Sequence, residues 1–479
     1  MTTATVVGSG PNGLAAAVTL AQHGVEVTVL EAADRIGGGT RSSELTLPGL
    51  LHDDCSAFHP TGAASPFLRS LGLEEHGLRW RWPEIELAHP LDGGRAALLY
   101  RDVARTAAGL GRDGPAWARL FAPLARRFDD LATEVFQPVL HVPRHPVTLA
   151  RFGIPAVLPA TWTARRWRDE EARALFGGVA AHLVSSLRAP LSSSVGMMLT
   201  AAAHAYGWPV AEGGSRAITD ALASKLASLG GKVETGVEVS EVHQLRGADL
   251  VVLSCSPRAA ARLLGDRLPD RIRRAYRRYR YGPGAFKLDV AVEGGIPWAH
   301  PDVGRAGTVH LGGTFEEIVD AERTTVRGEP ATRPFVLVGQ QHVADPTRSV
   351  GDLHPIWTYA HVPSGYTGDA TEAILTQLER FAPGVRERIR ACSVRTVPQL
   401  EAYNANYVGG DIAVGANTPL QLVARPLLTL TPYRTGVAGV YLSSSATPPG
   451  AGVHGMCGHN AATDALRRST VRRRGETGR

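Results

Sequence analysis

The chain opens with an apolar strand, a glycine-rich turn, a helix, a second strand and an acidic residue, all within 31 residues. Residues 5–7 read as the first strand, a helix runs from 14 to about 22, and residues 25–30 read as the second strand, closed by Glu31. The turn consists of Gly8, Ser9, Gly10, Pro11, Asn12 and Gly13. This order and spacing predict a Rossmann-like unit that binds a dinucleotide.

Each residue type in this unit has a physical task. Gly8 permits the tight turn, Gly10 lets a pyrophosphate approach the backbone, and Gly13 lets the helix pack on the strand. The helix N-terminus offers free N–H groups and partial positive charge to the phosphates. Glu31 is placed to accept hydrogen bonds from ribose hydroxyls, and its charge disfavours a 2′-phosphate there.

The next ten residues favour FAD over NAD. Residues 31–41 read EAADRIGGGTR, and the triple glycine can wrap a second pass of backbone around a long dinucleotide. No second glycine fingerprint stands between a strand and a helix, which argues against a built-in NAD(P)H domain. The cofactor contacts predicted in this stretch are Glu31, Ala32, Gly38, Gly39, Thr40 and Arg41, with Arg41 near phosphate or near the flavin ring.

The far end of the chain completes this prediction. Residues 440–442 read as a strand, residues 443–452 as a loop of small residues, and a helix opens near His454. Its N-terminus can stabilise negative charge on a flavin, and Ser444 and Ser445 of the loop are predicted cofactor contacts. Because residues 232–239 and 248–254 read as returning strands of the same sheet, the cofactor domain must be discontinuous.

Composition excludes several other classes of protein. The chain has 479 residues, 44% hydrophobic and 20% charged, which excludes a disordered or collagen-like polypeptide. Its net charge is +6, but residues 467–479 hold six Arg and one Glu, so the remainder is close to neutral and no nucleic-acid partner is expected. Four scattered cysteines and the absence of an apolar leader predict a cytoplasmic protein with no metal site.

Seven stretches of the sequence together resemble the phytoene desaturase-like branch of the FAD-dependent amine oxidase superfamily. They are VGSGPNGL (7–14), EAADRIGGGTR (31–41), CSAFHP (55–60), YGPGAFK (281–287), VHLGG (309–313), EAYNANY (401–407) and PGAGVHGMCG (449–458). The resemblance implies an α/β fold: a Rossmann-like FAD-binding domain of residues 1–75, 212–285 and 435–479, with a discontinuous mixed α+β substrate domain of residues 76–211 and 286–434.

The resemblance also implies individual cofactor contacts. Val239 would meet the adenine through its backbone, while His454, Gly455 and Met456 would lie beside the isoalloxazine ring. The loop of residues 55–59 would pass near the same ring.

Three side chains are candidates for catalysis, each with a structural alternative. His454 either polarises the flavin or transfers a proton, or it only caps or spaces the helix. His59 is either catalytic or structural, and its place before Pro60 favours the second role. Lys287 shares one face of an apolar strand with Asp289, so it either pairs with that carboxylate or lies over the flavin.

Two further segments leave alternatives open. Tyr403, Asn404, Asn406 and Tyr407 form either a polar lid over the substrate or an ordinary turn cluster. Residues 271–280 carry six arginines, which either form a solvated helix face or contact anionic lipid alongside the uncharged stretches 152–164 and 189–211.

These features favour dehydrogenation of a small apolar or lipid-like substrate, with hydride passing to flavin N5 and oxygen or a quinone reoxidising the cofactor. Three alternatives stay open: redox-neutral cis–trans isomerisation, amine oxidation, and a non-catalytic flavin protein that binds a partner. Contact with a membrane periphery and the oligomeric state are also open at this level.

Overall fold

The structure, a computed structural model, describes residues 2–476, and side chains are described for residues 2–468. The strands are β1 Thr3–Val7, β2 Glu26–Leu30, β3 Ser42–Glu44, β4 Leu51–Asp53, β5 Trp80–Arg81, β6 Ile85–Leu91, β7 Arg95–Leu99, β8 Val210–Ala211, β9 Lys232–Glu234, β10 Leu250–Leu253, β11 Gly284–Glu293, β12 Ala306–Leu311, β13 Val336–Gly339, β14 Leu353–Val362, β15 Ile389–Arg395 and β16 Val440–Leu442. Most of the arginine-rich tail predicted from residues 467–479 lies outside the described side chains.

Helices connect and cover these strands. In chain order they are α1 Pro11–Gln22, α2 Pro60–Ala63, α3 Pro66–Arg69, α4 Val103–Gly109, α5 Gly114–Arg126, α6 Phe128–Val135, α7 Pro146–Ala156, α8 Ala160–Thr163, α9 Glu170–Ala181, α10 Ser193–Tyr206, α11 Arg216–Ser228, α12 Pro257–Leu264, α13 Asp270–Arg277, α14 Phe315–Val326, α15 Thr371–Phe381, α16 Val385–Arg388, α17 Val397–Tyr403, α18 Pro419–Val423 and α19 Met456–Glu476. Within the described range, no helix combines the length and apolar character needed to cross a membrane.

A five-stranded parallel sheet joins the two ends of the chain. Its order is β16-β10-β1-β2-β9, so the last strand and the first are separated by β10 alone. Helix α1 follows β1 and packs against α19, and the pair is so close that a methyl group on Gly458 would collide with the carbonyl oxygen of Asn12. The predicted meeting of the chain's beginning and end is therefore confirmed.

Strand β9 is shorter than the sequence pattern predicts. It ends at Glu234 rather than at residue 239, because Gly236 adopts φ +72° and turns the chain. The Gly236 and Val237 amides then donate to the carbonyl oxygens of Ala33 and Glu31, each at 2.8 Å. The turn carries the following residues across the carboxyl end of the sheet instead of along its edge.

A seven-stranded mixed sheet forms the second layer, in the order β15-β11-β14-β13-β12-β6-β7. On β11, Phe286, Leu288 and Val290 face a core that includes Ile374 and Phe381 of α15. Lys287 and Asp289 take the opposite face, opposite Tyr359 and Trp357 of β14, as the alternation predicts. Strands of the two sheets fall in the predicted blocks, apart from the first two residues of β11, and the domain division itself stays a prediction.

The uncharged stretch 189–211 contains the whole of helix α10. This helix packs against α5, α7 and α9, and Met197, Ala201 and Ala202 on it are fully buried. The segment is thus an internal wall of the molecule, which its lack of charged residues permits. The arginine-rich run lies mainly on α13, where Tyr276 is buried and Arg273 pairs with Asp266 and Asp270 at the surface.

Candidate active site

A long cavity of about 1040 Å³ runs from the carboxyl end of the parallel sheet to the face of the second sheet. Pockets that hold one small molecule usually measure about 300–1,000 Å³, so this one has the capacity for a large cofactor with a second ligand. It has two chemically different halves. We call them the nucleotide half, lined by residues of positions 7–41, 237–240, 254–263 and 444–453, and the apolar half, lined by residues of the second sheet, of α10 and of the segments 55–61, 182–184, 208 and 412–425.

The glycine turn forms the floor of the nucleotide half. Gly8, Gly10, Pro11 and Asn12 line the cavity, and α1 begins there with no side chain capping its N-terminus. Its first N–H groups have no partner inside the helix. The Asn12 Oδ1 atom is buried without a hydrogen-bond partner. Gly13 lies behind the cavity, where a methyl group would strike the Gly8 carbonyl oxygen, so it serves helix packing as predicted.

Glu31 lies at the end of β2 with its carboxylate on the cavity wall. Its Oε2 atom accepts from the Ser9 amide at 2.8 Å and from the Ser9 hydroxyl at 2.6 Å. Its Oε1 atom accepts from the Ala33 amide at 3.0 Å and from Arg41 Nη2 at 3.4 Å. Ser9 itself is buried behind the wall. These bonds fix the carboxylate where ribose hydroxyls would meet it.

The second pass of backbone crosses directly above the first. A methyl group on Gly38 would come within 3.1 Å of Gly10 Cα, which favours glycine at position 38. Ala32, Gly39, Thr40 and Arg41 also line the nucleotide half. The Tyr403 hydroxyl donates to the Gly38 carbonyl oxygen at 2.7 Å, and the ring of Tyr403 lies under the Arg41 guanidinium.

Tyr403, Asn404, Asn406 and Tyr407 therefore border the cofactor path as well as the apolar half. Asn406 accepts a hydrogen bond from the Ser256 amide at 2.8 Å, which ties this segment to α12. A methyl group on Gly39 would collide with the Tyr407 hydroxyl. The four residues form part of the cavity wall, and a movable lid over substrate stays a prediction.

The remaining wall of the nucleotide half comes from two distant segments. Val239 lies on the segment that leaves β9, and Ser444 and Ser445 lie on the loop after β16. Arg425 donates to the Ser445 carbonyl oxygen at 3.2 Å and holds that loop in place. An uncapped helix, a glycine cradle and a fixed carboxylate are the donor and acceptor set that a dinucleotide requires. The residues present thus fit FAD.

The apolar half is walled by hydrocarbon and aromatic side chains. Trp357 and Tyr359 meet edge to face at 4.9 Å between ring centroids, and Phe58 contacts Trp357 in the same manner at 6.5 Å. The other apolar lining residues are Val184, Val195, Leu199, Trp208, Leu337, Ile412, Val414 and Leu422. No carboxylate lies among the described residues of this half, where Arg425 is the one charged group.

His182 brings an ionisable group to this half. It follows α9, lines the cavity and packs edge to face on Trp208, with 5.5 Å between ring centroids. Its Nε2 atom lies 3.0 Å from Nε2 of His310. Burial, with a smaller contribution from His361, lowers the pKa of His182 to about 3, so the ring is neutral at pH 7. Among the described residues, no His, Cys, Asp and Glu are grouped to hold a metal ion.

His454 is not among the residues that line the described cavity, and its predicted position beside the flavin ring stays a prediction. Its Nδ1 atom accepts from the Met456 amide at 3.0 Å, and its ring packs on Phe136. Burial lowers the pKa of His454 to about 4. Gly455 and Met456 are buried in the packing of α19 and are also absent from the wall, which is formed here by Pro449, Gly450, Ala451, Gly452 and Val453. The geometry is that of a helix cap.

His59 is likewise buried behind the wall. Its Nε2 atom lies 2.8 Å from the Ser215 hydroxyl, at the start of α11. Burial lowers the pKa of His59 to about 4. Its neighbours Phe58 and Pro60 line the cavity, so His59 serves to anchor the loop that carries them.

Lys287 forms a buried ion pair with Asp289, and both side chains are almost fully inaccessible. Asp289 also lies 3.5 Å from His52 Nδ1. Lys287 is on the cavity face of β11, directly opposite Tyr359 in register, yet it is covered and does not line the cavity. The pairing is the structural alternative that the strand pattern offered.

The residues of the apolar half are those that sequence reasoning missed. His182, Trp208 and Leu422 come from segments far apart in the chain, and nothing local to them marks a site. The alternation of Trp357 and Tyr359 on one face of a strand is a signal that could have been used, because it places both rings beside Lys287 and Asp289.

Comparison with known proteins agrees with this geometry. The profile of the family described as flavin containing amine oxidoreductase matches residues 12–455. Mouse pyridine nucleotide-disulfide oxidoreductase domain-containing protein 2 is 25% identical over 542 residues, covering 96% of this chain and 92% of that protein. The four cysteines here are free and scattered, so the described chain contains no disulfide.

Two further similarities bear on the fold and the reaction. Hydroxyneurosporene desaturase of Cereibacter sphaeroides is 28% identical over 269 residues, covering 50% of this chain and 51% of that protein. The crystal structure of an oxidoreductase from Methanosarcina mazei superposes with a TM-score of 0.63 at 17% identity, covering 97% of this chain and 100% of that one.

Proposed function

Because the chain belongs to the flavin-containing amine oxidoreductase family, whose members are FAD-dependent oxidoreductases, we propose that it dehydrogenates a mostly apolar carbon skeleton. The observation that carries this proposal is the chemistry of the apolar half. Its wall is mostly hydrocarbon and aromatic, with His182, Thr308, Asn417 and Arg425 as polar members, and among the described residues it holds no carboxylate to bind a cation. The partial similarity to a desaturase supports the same choice.

The residues of the nucleotide half would hold FAD along its length. The N-terminus of α1 and Gly10 would bind the pyrophosphate, Glu31 the ribose, and the segment around Val239 the adenine. Ser444 and Ser445 would lie along the path to the ring. When bound, FAD supplies a hydride acceptor at N5. Trp357, Tyr359 and Phe58 would orient an apolar substrate and exclude water from it.

We assign the proton that leaves with the hydride to His182. It is the described side chain of the apolar half that is both neutral at pH 7 and able to accept a proton on nitrogen. Nε2 is engaged with His310, which leaves Nδ1 for the substrate. Since burial lowers the pKa of His182, a proton received there is passed on or released rather than retained.

The decisive experiment combines the FAD-loaded protein with saturated and partly unsaturated isoprenoids and fatty acyl compounds under anaerobic conditions. Dehydrogenation is expected to bleach the flavin and to yield a product lighter by two hydrogen atoms. An unchanged product mass with prereduced flavin would instead indicate an isomerase. Flavin bleached by simple amines alone would contradict the proposal.

The electron acceptor is tested in the same preparation. The sequence offers one dinucleotide fingerprint, so we propose oxygen or a quinone as the acceptor and expect NADPH to reduce the bound flavin poorly. Reoxidation is followed by mixing the reduced protein with oxygenated buffer or with a soluble quinone. Rapid bleaching by NADPH would indicate a reductase.

A further inference from the structure

The large apolar side chains that the molecule exposes are concentrated in two segments. Of the fifteen such residues within the described chain, eleven lie in residues 139–162 and 420–430. They are Val139, Leu140, Val142, Val147, Ile154, Val157, Trp162, Leu420, Val423, Leu428 and Leu430. We call this set the apolar rim. Apolar surface concentrated in this way usually marks a site of interaction.

Both segments are attached to one connection, residues 182–192. On one side, the Leu191 amide donates to the Val157 carbonyl oxygen at 2.9 Å. On the other, the Asn417 side chain donates to the Leu183 carbonyl oxygen at 2.7 Å, immediately before α18. The segments that carry the two parts of the apolar rim therefore bond to the same connection, although more than 250 residues separate them in the chain.

The same elements line the apolar half of the cavity. Leu422 of α18 is on the cavity wall, while Leu420 and Val423 of the same helix are exposed. Val184 of the connection lines the cavity, and so do Val195 and Leu199 of α10, against which α7 packs. Elements that carry part of the apolar rim, or pack against it, therefore also line the apolar half of the cavity.

The charged side chains within the two segments of the apolar rim are of one sign. Residues 135–168 contain Arg144, Arg151, Arg165, Arg166 and Arg168, all exposed, and no Asp or Glu. Residues 416–431 also contain no acid, and Arg271 of the arginine-rich helix donates to the Leu428 carbonyl oxygen at 3.1 Å. Arg165 lies over the exposed ring of Trp162. Protruding apolar side chains among arginines are typical of surfaces that enter the headgroup layer of anionic membranes.

We propose that the apolar rim docks this protein on an anionic lipid bilayer and opens the cavity toward the acyl chains. A second copy of the chain is a poorer occupant, because apposed rims would bring arginine against arginine. Docking itself rests on the surface alone, and only the entry of substrate from the bilayer rests on the proposed function. Residues 271–280, for which a lipid contact is predicted, would lie at the margin of this surface rather than at its centre.

The test uses the full-length, FAD-loaded protein and sedimentation with vesicles of phosphatidylcholine, alone or with phosphatidylglycerol. We expect binding to the mixed vesicles and at least tenfold weaker binding for the double variant Ile154→Asp with Leu420→Asp. These side chains are 68% and 72% exposed, so folding should tolerate the changes. The matched control is Val326→Asp, at an exposed valine outside the apolar rim, which should bind as the unmodified protein does.

A charge variant separates lipid binding from nonspecific adhesion. Replacing Arg144, Arg165 and Arg166 with Gln should weaken binding to phosphatidylglycerol vesicles at least fivefold and leave the weak binding to phosphatidylcholine unchanged. Equal binding by the Ile154 and Leu420 double variant and the unmodified protein would overturn the proposal. So would a dimer in sedimentation that the double variant converts to monomer, since the apolar rim would then be a protein interface.

Turnover in detergent distinguishes this proposal from the proposed function. Substrate presented in micelles should be converted at similar rates by the double variant and the unmodified protein, because neither Ile154 nor Leu420 lines the cavity. If no form of the protein converts any candidate substrate, the proposed reaction fails while the vesicle measurements still decide docking.

Discussion

At the scale of single residues, surroundings decide what an ionisable group can do. Glu31 keeps its carboxylate at the cavity because Ser9 and Ala33 donate to it and Arg41 lies beside it. His454 has the position in the chain expected of a flavin contact, yet its Nδ1 atom accepts a hydrogen bond from the Met456 amide. Residue type suggested both roles equally well, and only the neighbouring groups separate them.

Glu31→Gln should weaken FAD binding about 10- to 100-fold, corresponding to about 1.5–3 kcal/mol for lost bonds to a charged acceptor. The amide would also oppose the Ser9 donors with its own N–H groups. Fluorescence titration of the flavin-free protein with FAD measures the change. Glu26→Gln, at an exposed position on the same strand, is the control and should leave affinity unaltered.

His454→Asn should preserve FAD content and flavin reduction to within about twofold, whereas losing a proton-transfer group typically costs about 100-fold or more. His454→Ala removes the acceptor for the Met456 amide and should lower the free energy of unfolding by about 0.5–2 kcal/mol. Rapid mixing with substrate and chemical unfolding measure the two effects. A hundredfold slower reduction of the flavin in the Asn variant would instead show that His454 is catalytic.

At the scale of elements, a buried ion network holds the loop that carries Phe58 to the cavity. Asp53 ends β4, and its carboxylate accepts from Arg348 Nη1 at 2.6 Å and from the Ser215 amide at 2.7 Å. Arg348 also bonds to Asp345 and to the Ala211 carbonyl oxygen. One carboxylate therefore connects β4, the start of α11 and the segment between β13 and β14.

Asp53→Asn should lower the free energy of unfolding by about 3–5 kcal/mol, because the buried Arg348 guanidinium would keep only one of its two carboxylate partners, Asp345. Urea unfolding followed by circular dichroism measures the loss. The comparison variant is Glu293→Gln, which breaks the ion pair of Glu293 with Arg390. These two side chains are 50% and 47% exposed, so the free energy of unfolding should fall by less than about 1 kcal/mol. Similar losses in the two variants would contradict the role given to the network.

At the scale of the whole molecule, the predictable part is the part encoded locally. The nucleotide half could be predicted because a strand, a glycine turn, a helix and Glu31 follow one another in sequence. The apolar half could not, since Trp357, His182 and Leu422 meet only through the order of strands and the packing of helices. Strand β9 was predicted too long for the same reason: apolar alternation continues past Gly236, but the tertiary turn there ends the pairing.

Acid should destabilise this protein well before its carboxylates titrate. Burial lowers the pKa of seven histidines from 6.5 to about 3 or 4, namely His59, His89, His182, His204, His342, His454 and His459. Below pH 6.5 these histidines take up protons in the unfolded chain but stay neutral in the folded chain. Each of them therefore lowers the free energy of unfolding by about 1.4 kcal/mol per pH unit, down to its pKa in the folded chain. Melting temperature should fall steeply between pH 6.5 and 4.

A single substitution checks this linkage. His204→Gln removes one buried titrating ring, so the free energy of unfolding should vary less with pH by about 1.4 kcal/mol per unit. A melting temperature that stays constant down to pH 4.5 would contradict the prediction.

The position of β16 beside β10 sets the order of events during synthesis. The ribosome makes β1 long before β16, so the flavin cradle lacks a wall until residue 453 has emerged. The cofactor site that begins at β1 therefore stays incomplete until the segment after β16 has been made. Stalled chains that end before Val440 should therefore fail to retain flavin, however complete their first forty residues are.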